Sequence, residues 1–304
     1  MELLRSLTPA QYCQAFYVAI GGGIAALHFC PPELQKAFIG YGFRSTGDGK
    51  AAPSKLEWVE LVQKISNAIQ VSHSWFTHFY AVSLLWSLFW WGQFLSEGPI
   101  MHWLAERQRA SGTDNVDMGR VVIAMTLMAL QGARRLYESL FVSKQGKTPM
   151  MFAAWVAGLL YYAANGVAVW IEGADAVSRG WTSAQEISIL TPRNVFGIAV
   201  FLYAAATQYR CHRHLASLKK YSLPTEGWFA SVLCAHYTAE CLLYLALAFV
   251  AAPPDRLFNT TLLCSVFFAA SNLGVTALDA KQWYVNKFGA DQVEHKWCMI
   301  PYVF

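Results

Sequence analysis

The chain has 304 residues, of which 55% are hydrophobic, 15% aromatic and 14% charged, with a mean hydropathy of +0.30. Disorder needs low hydrophobicity, so it is excluded, and a charged fraction well below the ~25% of soluble domains argues against a water-soluble globule. The net charge of +4 is spread along the chain without a concentrated basic face, which excludes nucleic acid as a partner.

Membrane-spanning helices need about 20 apolar residues, and such runs fall at about 10–29, 75–96, 120–143, 150–171, 195–212, 228–251 and 258–284. The first lacks a basic leader and a small-residue cleavage site, so it reads as an anchor and not a signal peptide. None of the runs alternates with a period of two, which leaves helices and not a barrel as the way to satisfy backbone groups in lipid. The expected fold is therefore all-α: a polytopic, seven-transmembrane-helix bundle forming one domain. Basic residues outnumber two to one on the side that carries the first, third and fifth loops and the C-terminal tail. That excess places the C-terminus in the cytosol, and it narrows when the long first loop is set aside. Residues 30–74 read equally as an amphipathic lid or a disordered excursion. The seven cysteines are scattered, without CxxC or zinc-type spacing, so no disulfide framework and no metal site is expected.

Ionisable side chains inside membrane spans usually face a cavity or one another, and here they gather at one depth. The second span begins with His73, Ser74, Trp75, His78 and Tyr80, and the third ends with Gln131, Arg134, Arg135, Tyr137 and Glu138. Gln208, Tyr209, Arg210 and His212 close the fifth. His236 and Glu240 open the sixth, four apart and so on one helix face. Asn272, Asp279, Lys281 and Tyr284 occupy the cytosolic half of the seventh, whereas the far halves read as plain Leu, Ala, Val and Phe. A polar cavity opening to the cytosol accounts for this asymmetry. The residues also have plainer readings: arginines that snorkel to the interface, a Glu138 that only neutralises Arg135, a structural His236–Glu240 pair, and an interfacial belt of His73, His78 and Tyr80. The Gly21-Gly22-Gly23 run lies inside a span and suits close helix packing. No Rossmann glycine motif, nucleophile elbow or metalloprotease motif is present.

The stretch 131–138 (QGARRLYE) resembles the RRLYE signature of the polyprenol-reductase branch of the steroid 5α-reductase family. So, in order, do 73–80 (HSWFTHFY), 208–219 (QYRCHRHLASLK), 224–229 (PTEGWF), 235–240 (AHYTAE) and the terminal WYVNKF and IPYVF segments. The resemblance covers about residue 73 to the end. It implies a seven-helix enzyme of the endoplasmic reticulum membrane that binds NADPH from the cytosol. Hydride would pass to the β-carbon of a double bond conjugated to a carbonyl, in making dolichol for protein N-glycosylation. Position by position, it implies that His236 and Glu240 hold the nicotinamide end. Gln208, His212, Lys219 and Tyr221 fall among the dinucleotide contacts, with Ser222 where an arginine is usual. Arg135, Asn272, Asp279, Lys281 and Tyr284 complete the cofactor set, although Asp279 and Lys281 replace the histidines of steroid-acting members. Arg134 and Glu138 line the substrate pocket. Steroid-acting members carry a tyrosine where this chain has Gly132, so His73 or His78 with Tyr80 is left to polarise the carbonyl. Lys219, Lys220 and Arg213 are the candidates for a 2′-phosphate.

Chemistry narrows the substrate. An allylic alcohol gives a hydride no acceptor, whereas a conjugated aldehyde moves the charge onto oxygen, where a donor can stabilise it. The expected reaction is thus polyprenal to dolichal. The polyprenyl tail lies among membrane lipids, and no obligate protein partner is evident. The competing classes are a 3-oxo-steroid 5α-reductase, a trans-2-enoyl-CoA reductase, and a non-catalytic seven-helix receptor or transporter.

Overall fold

The computed structural model describes residues 7–27, 29–30, 69–110, 112, 116–144, 146, 149–180, 189–219 and 222–304. Most of the first loop therefore lies outside the described residues, as does Tyr221.

In chain order the helices are α1 (Pro9–Leu27), α2 (Phe76–Leu95), α3 (Pro99–Arg109), α4 (Met118–Tyr137), α5 (Phe152–Ala168), α6 (Ala174–Arg179), α7 (Pro192–Ser217), α8 (Ala235–Val250) and α9 (Thr260–Phe288). Their starts are written locally. Asp117, Thr191 and Asn259 each accept a hydrogen bond from the backbone N–H three residues on, at 3.0, 3.1 and 2.8 Å. These side chains satisfy amides that a first turn leaves unpaired. Proline opens α1, α3 and α7, where its missing N–H costs nothing.

Helices stand at each of the seven predicted runs, and among the described residues the all-α expectation holds apart from a two-stranded clip and a single bridge between Val232 and Trp297. In the clip β1 (Gln70–Val71) pairs antiparallel with β2 (Met150–Met151), tying the approach to α2 to the start of α5. By length and composition, residues 152–179 and 260–288 are long and apolar enough to cross a bilayer, while α8 is apolar but shorter. The sixth run was expected to begin near 228. Instead the helix begins at Ala235, because residues 231–234 form a turn that pairs with the C-terminal tail. Leu233 N donates to Trp297 O at 2.9 Å, Cys234 N to Cys298 O at 3.0 Å, and Trp297 N returns to Ser231 O at 2.9 Å. The amphipathic α3 and the short α6, which pack on each other, were not anticipated.

Polarity is inverted along parts of the surface. On α2, Ser83 and Ser87 are buried while Leu85 is 65% exposed and Leu88 54%. Small polar residues inside and leucine outside suit helices packed in lipid. The neighbouring pairs are α7 with α8, α9 with α1, α2 with α4 and α5, and α8 with α9. Gly21 permits the second of these. A Cβ there would stand 2.9 Å from the Phe268 Cα, whereas at Gly22 and Gly23 it would meet nothing within 4 Å. One residue of the glycine run is thus a packing contact and two are not.

The half of the bundle away from the predicted polar depth is less plain than its sequence suggested. Asn165 accepts from Ser265 Oγ at 2.7 Å and from Tyr17 Oη at 3.2 Å. The buried Glu172 accepts from both the N–H and the hydroxyl of Thr261 at 2.7 Å, adding a carboxylate to the N-terminus of α9, where the helix dipole favours negative charge.

Candidate active site

Four helices that alternate in direction bring their polar ends to one level: the first turns of α2 and α8, and the last turns of α4 and α7. On α4, Gln131, Arg134, Arg135 and Glu138 follow the three- and four-residue spacing that stacks side chains along one face. Beyond Tyr137 the helix widens into a π-turn (Glu138–Val142), closed by Ser143 N donating to Glu138 O at 2.7 Å. Such turns recur at functional sites. Ser139, inside this turn, is bonded to Thr77 on α2 at 2.8 Å.

Glu138 is the hub, with a side chain 0% exposed. Its Oε2 accepts from Arg135 Nη1 at 2.5 Å and from His212 Nδ1 at 2.6 Å, and its Oε1 accepts from Arg134. Two arms leave this hub. On one, Arg135 Nη2 donates to the Tyr80 hydroxyl at 2.5 Å, with the guanidinium carbon 4.4 Å from the centre of that ring. On the other, Arg134 Nη2 donates to Gln131 Oε1 at 2.7 Å and to Gln208 Oε1. Gln208 Nε2 then donates to Glu240 Oε2 and, at 3.4 Å, to the His236 carbonyl. His212 and His236 meet with ring centroids 5.6 Å apart. Two arginines and two glutamates thus balance at a level where an unpaired charge would be costly.

The structure therefore brings together Tyr80, Arg134, Arg135, Glu138, Gln208, His212, His236 and Glu240, and adds Gln131. It does not bring His73 and His78 into the network. His73 stacks on Phe76 at 4.7 Å, and the exposed His78 lies 5.2 Å from Trp75 and 6.0 Å from Trp155. His73 belongs to the 3-10 turn, His73–Trp75, through which the chain enters α2, and His78 is exposed on the first turn of that helix. Lys219 is exposed past the end of α7.

The α9 residues face a different neighbour. Tyr284 is buried in a cluster with Leu233, Cys234, Val293, Cys298 and Met299, and Lys281 Nζ donates to the Lys296 carbonyl at 3.0 Å. Asn272 is half-buried and Asp279 exposed on the same helix. Lys296 itself, only 5% exposed, donates to the carbonyls of Phe229 at 2.9 Å and Pro224 at 3.4 Å, so that the tail is strapped to the segment preceding α8. A single lysine in a short tail gives no sequence pattern by which this strap could have been anticipated.

The cluster sets carboxylate and carbonyl acceptors beside guanidinium donors, the kinds of group that a nicotinamide dinucleotide pairs with. Glu240 and the His236 carbonyl are acceptors of the kind a carboxamide needs, and here both accept from Gln208 Nε2. The buried Nε–H groups of Arg134 and Arg135 have no acceptor among the described residues. No group of three or more metal-ligating side chains occurs among the described residues.

The family described as 3-oxo-5-alpha-steroid 4-dehydrogenase matches residues 148–304, just over half of the chain. The chain is 30% identical to a polyprenal reductase of Xenopus laevis, over 88% of this chain and 84% of that protein. It is 29% identical to a polyprenal reductase of Xenopus tropicalis over 88% and 87%, and 27% identical to one of Homo sapiens over 78% and 79%. With more than half its length matched and relatives aligned along most of it, the chain belongs to the steroid 5α-reductase family.

Proposed function

We propose that the chain is an NADPH-dependent oxidoreductase that reduces the α-isoprene double bond of polyprenal to give dolichal, in the making of dolichol for protein N-glycosylation. The observation that carries this reading is the hydrogen-bonded path from Tyr80 to Glu240, which sets a phenol and a carboxylate on two sides of one buried cluster. The similarity to polyprenal reductases supports the choice of substrate.

In this reading Glu240, His236 and Gln208 hold the nicotinamide end. The resemblance also counts His212, Asn272, Asp279, Lys281, Tyr284, Lys219 and Tyr221 among the cofactor contacts, although Tyr284 and Lys281 pack here against the C-terminal tail. NADPH, when bound, supplies the hydride that the β-carbon receives. Tyr80 donates its proton to the carbonyl oxygen as charge develops there, and Arg135 stabilises the oxygen left behind. His73 and His78 flank the entrance, and Arg134 closes the pocket floor. A side chain at position 132 is what steroid-acting members add. Here a Cβ would stand 3.0 Å from Ser83 Oγ and 3.1 Å from Leu84 N, so α2 and α4 touch where that tyrosine would start.

The seven long helices serve as seven spans of the endoplasmic reticulum membrane with the C-terminus in the cytosol, and the polyprenyl tail lies between them and the lipid. The test is an assay of detergent-purified protein with NADPH, offering polyprenal, polyprenol and a 3-keto-4-ene steroid in parallel. Turnover of polyprenal alone is expected. Turnover of the alcohol without an added dehydrogenase would refute the conjugated-carbonyl argument, and turnover of the steroid alone would move the chain to the other branch.

A further inference from the structure

Resting on the assignment of Tyr80 as proton donor, we propose that Glu138 is a positioning residue that holds Arg135 against the Tyr80 hydroxyl, and that Arg135 acts through Tyr80 and not through the cofactor. The sequence offered other roles for both, Glu138 as a pocket wall and Arg135 as a cofactor contact. Geometry separates these possibilities. Glu138 exposes no side-chain surface, and both its oxygens are engaged by Arg134, Arg135 and His212. A substrate cannot reach it without dismantling three bonds. Arg135 spans the interval between Glu138 and Tyr80, with Nη1 on the carboxylate and Nη2 on the phenol, each at 2.5 Å. Its planar fork suits this bridging and a lysine would not, since an ammonium lacks two donors fixed in one plane.

The chemistry gives the arrangement a purpose. As the double bond receives a hydride at its β-carbon, the displaced electron pair moves onto the carbonyl oxygen. That oxygen takes the Tyr80 proton, so one O–H bond breaks and another forms. The enol then tautomerises to the saturated aldehyde, and the phenolate recovers a proton from water. One hydride and one proton are added in all. During the step, negative charge appears on the Tyr80 oxygen. A guanidinium already fixed against that oxygen stabilises the charge without reorganising. Glu138, pinned in turn by His212 and Arg134, keeps the guanidinium from turning away.

A double-mutant cycle tests the proposal: Tyr80→Phe, Glu138→Gln and the two combined, with polyprenal as substrate and NADPH saturating. Tyr80→Phe is expected to lower kcat about 100-fold, within the range for loss of a general acid. Glu138→Gln should lower it at least about 10-fold while the KM for NADPH stays within about threefold. The combined variant should be no slower than Tyr80→Phe, because nothing is left for Glu138 to position. Multiplicative losses in the combined variant would overturn the positioning role while leaving Tyr80 as donor, and so would a KM for NADPH that carries the whole effect. If Tyr80→Phe retains full kcat, the donor assignment falls and this proposal with it. If the wild type does not turn over polyprenal, the functional reading fails first. Should Glu138→Gln not fold, Glu138→Asp completes the same cycle.

Discussion

Gln208 does what neither a carboxylate nor an ammonium can do in its place. Its carbonyl oxygen faces Arg134 and its amide nitrogen faces Glu240, so one neutral side chain joins a cation to an anion across two helices. The amide orientation is thereby dictated by its neighbours. Gln208→Leu removes both bonds and leaves charged groups short of a partner, at a cost of about 1–3 kcal/mol each. A fall in melting temperature of several degrees in detergent is expected, at roughly 2–4 °C per kcal/mol. Gln208→Glu keeps the shape but turns an oxygen toward Glu240, and should lower the melting temperature at least as far. An unchanged melting temperature in both would show that the amide bears no load. Much of this cluster could be read in the sequence. Arg134 and Glu138, and His236 and Glu240, carry their four-residue spacing openly. What spacing cannot give is the azimuth of one helix against another. That Tyr80, and not His73 or His78, meets Arg135 follows from how α2 is turned against α4 and from the 3-10 turn that holds His73 outside the helix.

Helix contacts decide which glycines matter. Gly21 sits against the Phe268 backbone and Gly132 against Ser83 and Leu84, while Gly22 and Gly23 border open space. Gly21→Ala forces α1 away from α9, and Gly132→Ala presses on α2. Overpacking of this kind costs about 1–3 kcal/mol. Gly22→Ala and Gly23→Ala meet no atom, and in a helix interior alanine is favoured over glycine by up to ~1 kcal/mol. Thermal unfolding of the four variants in detergent should therefore divide them into two losses and two neutral or stabilised proteins. Uniform behaviour would mean that the run acts as a unit. The sequence showed all three glycines of the first run alike, because composition marks a small-residue stretch and cannot say which member faces a neighbour. The start of α8 was misplaced for a related reason. Residues 228–234 are as apolar as a helix requires, but 227–230 form a 3-10 turn and the backbone groups of 231–234 pair with a tail about sixty residues further along the chain, and no local pattern announces a partner that distant.

The molecule as a whole is closed at one end by that tail. Lys281 and Lys296 both spend their ammonium groups on backbone carbonyls, from α9 to the tail and from the tail to the segment before α8. Burial holds the Lys296 ammonium below the ordinary lysine range. The unfolded chain therefore binds that proton more tightly than the folded one between the lowered value and the ordinary one. Stability contributed by this residue rises with pH across that alkaline window and is least below it. Lys296→Met should flatten the rise when melting temperature is followed against pH. An unaltered slope would show that the burial penalty is already offset by the two carbonyls.

The short β1–β2 clip has a consequence for how much of a substrate the protein senses. It pins the approach to α2 against the start of α5, so the two helices set out from a common level and cannot slide past each other. Tyr80 lies four residues into α2, about 6 Å along its axis at 1.5 Å per residue. If a head group reacts at Tyr80, as proposed, the clip fixes the depth that it has to reach. The leucines that α2 turns outward continue below that point along the lipid face. In the proposed reading, isoprene units beyond the first few would trail along this outward-facing apolar side of α2.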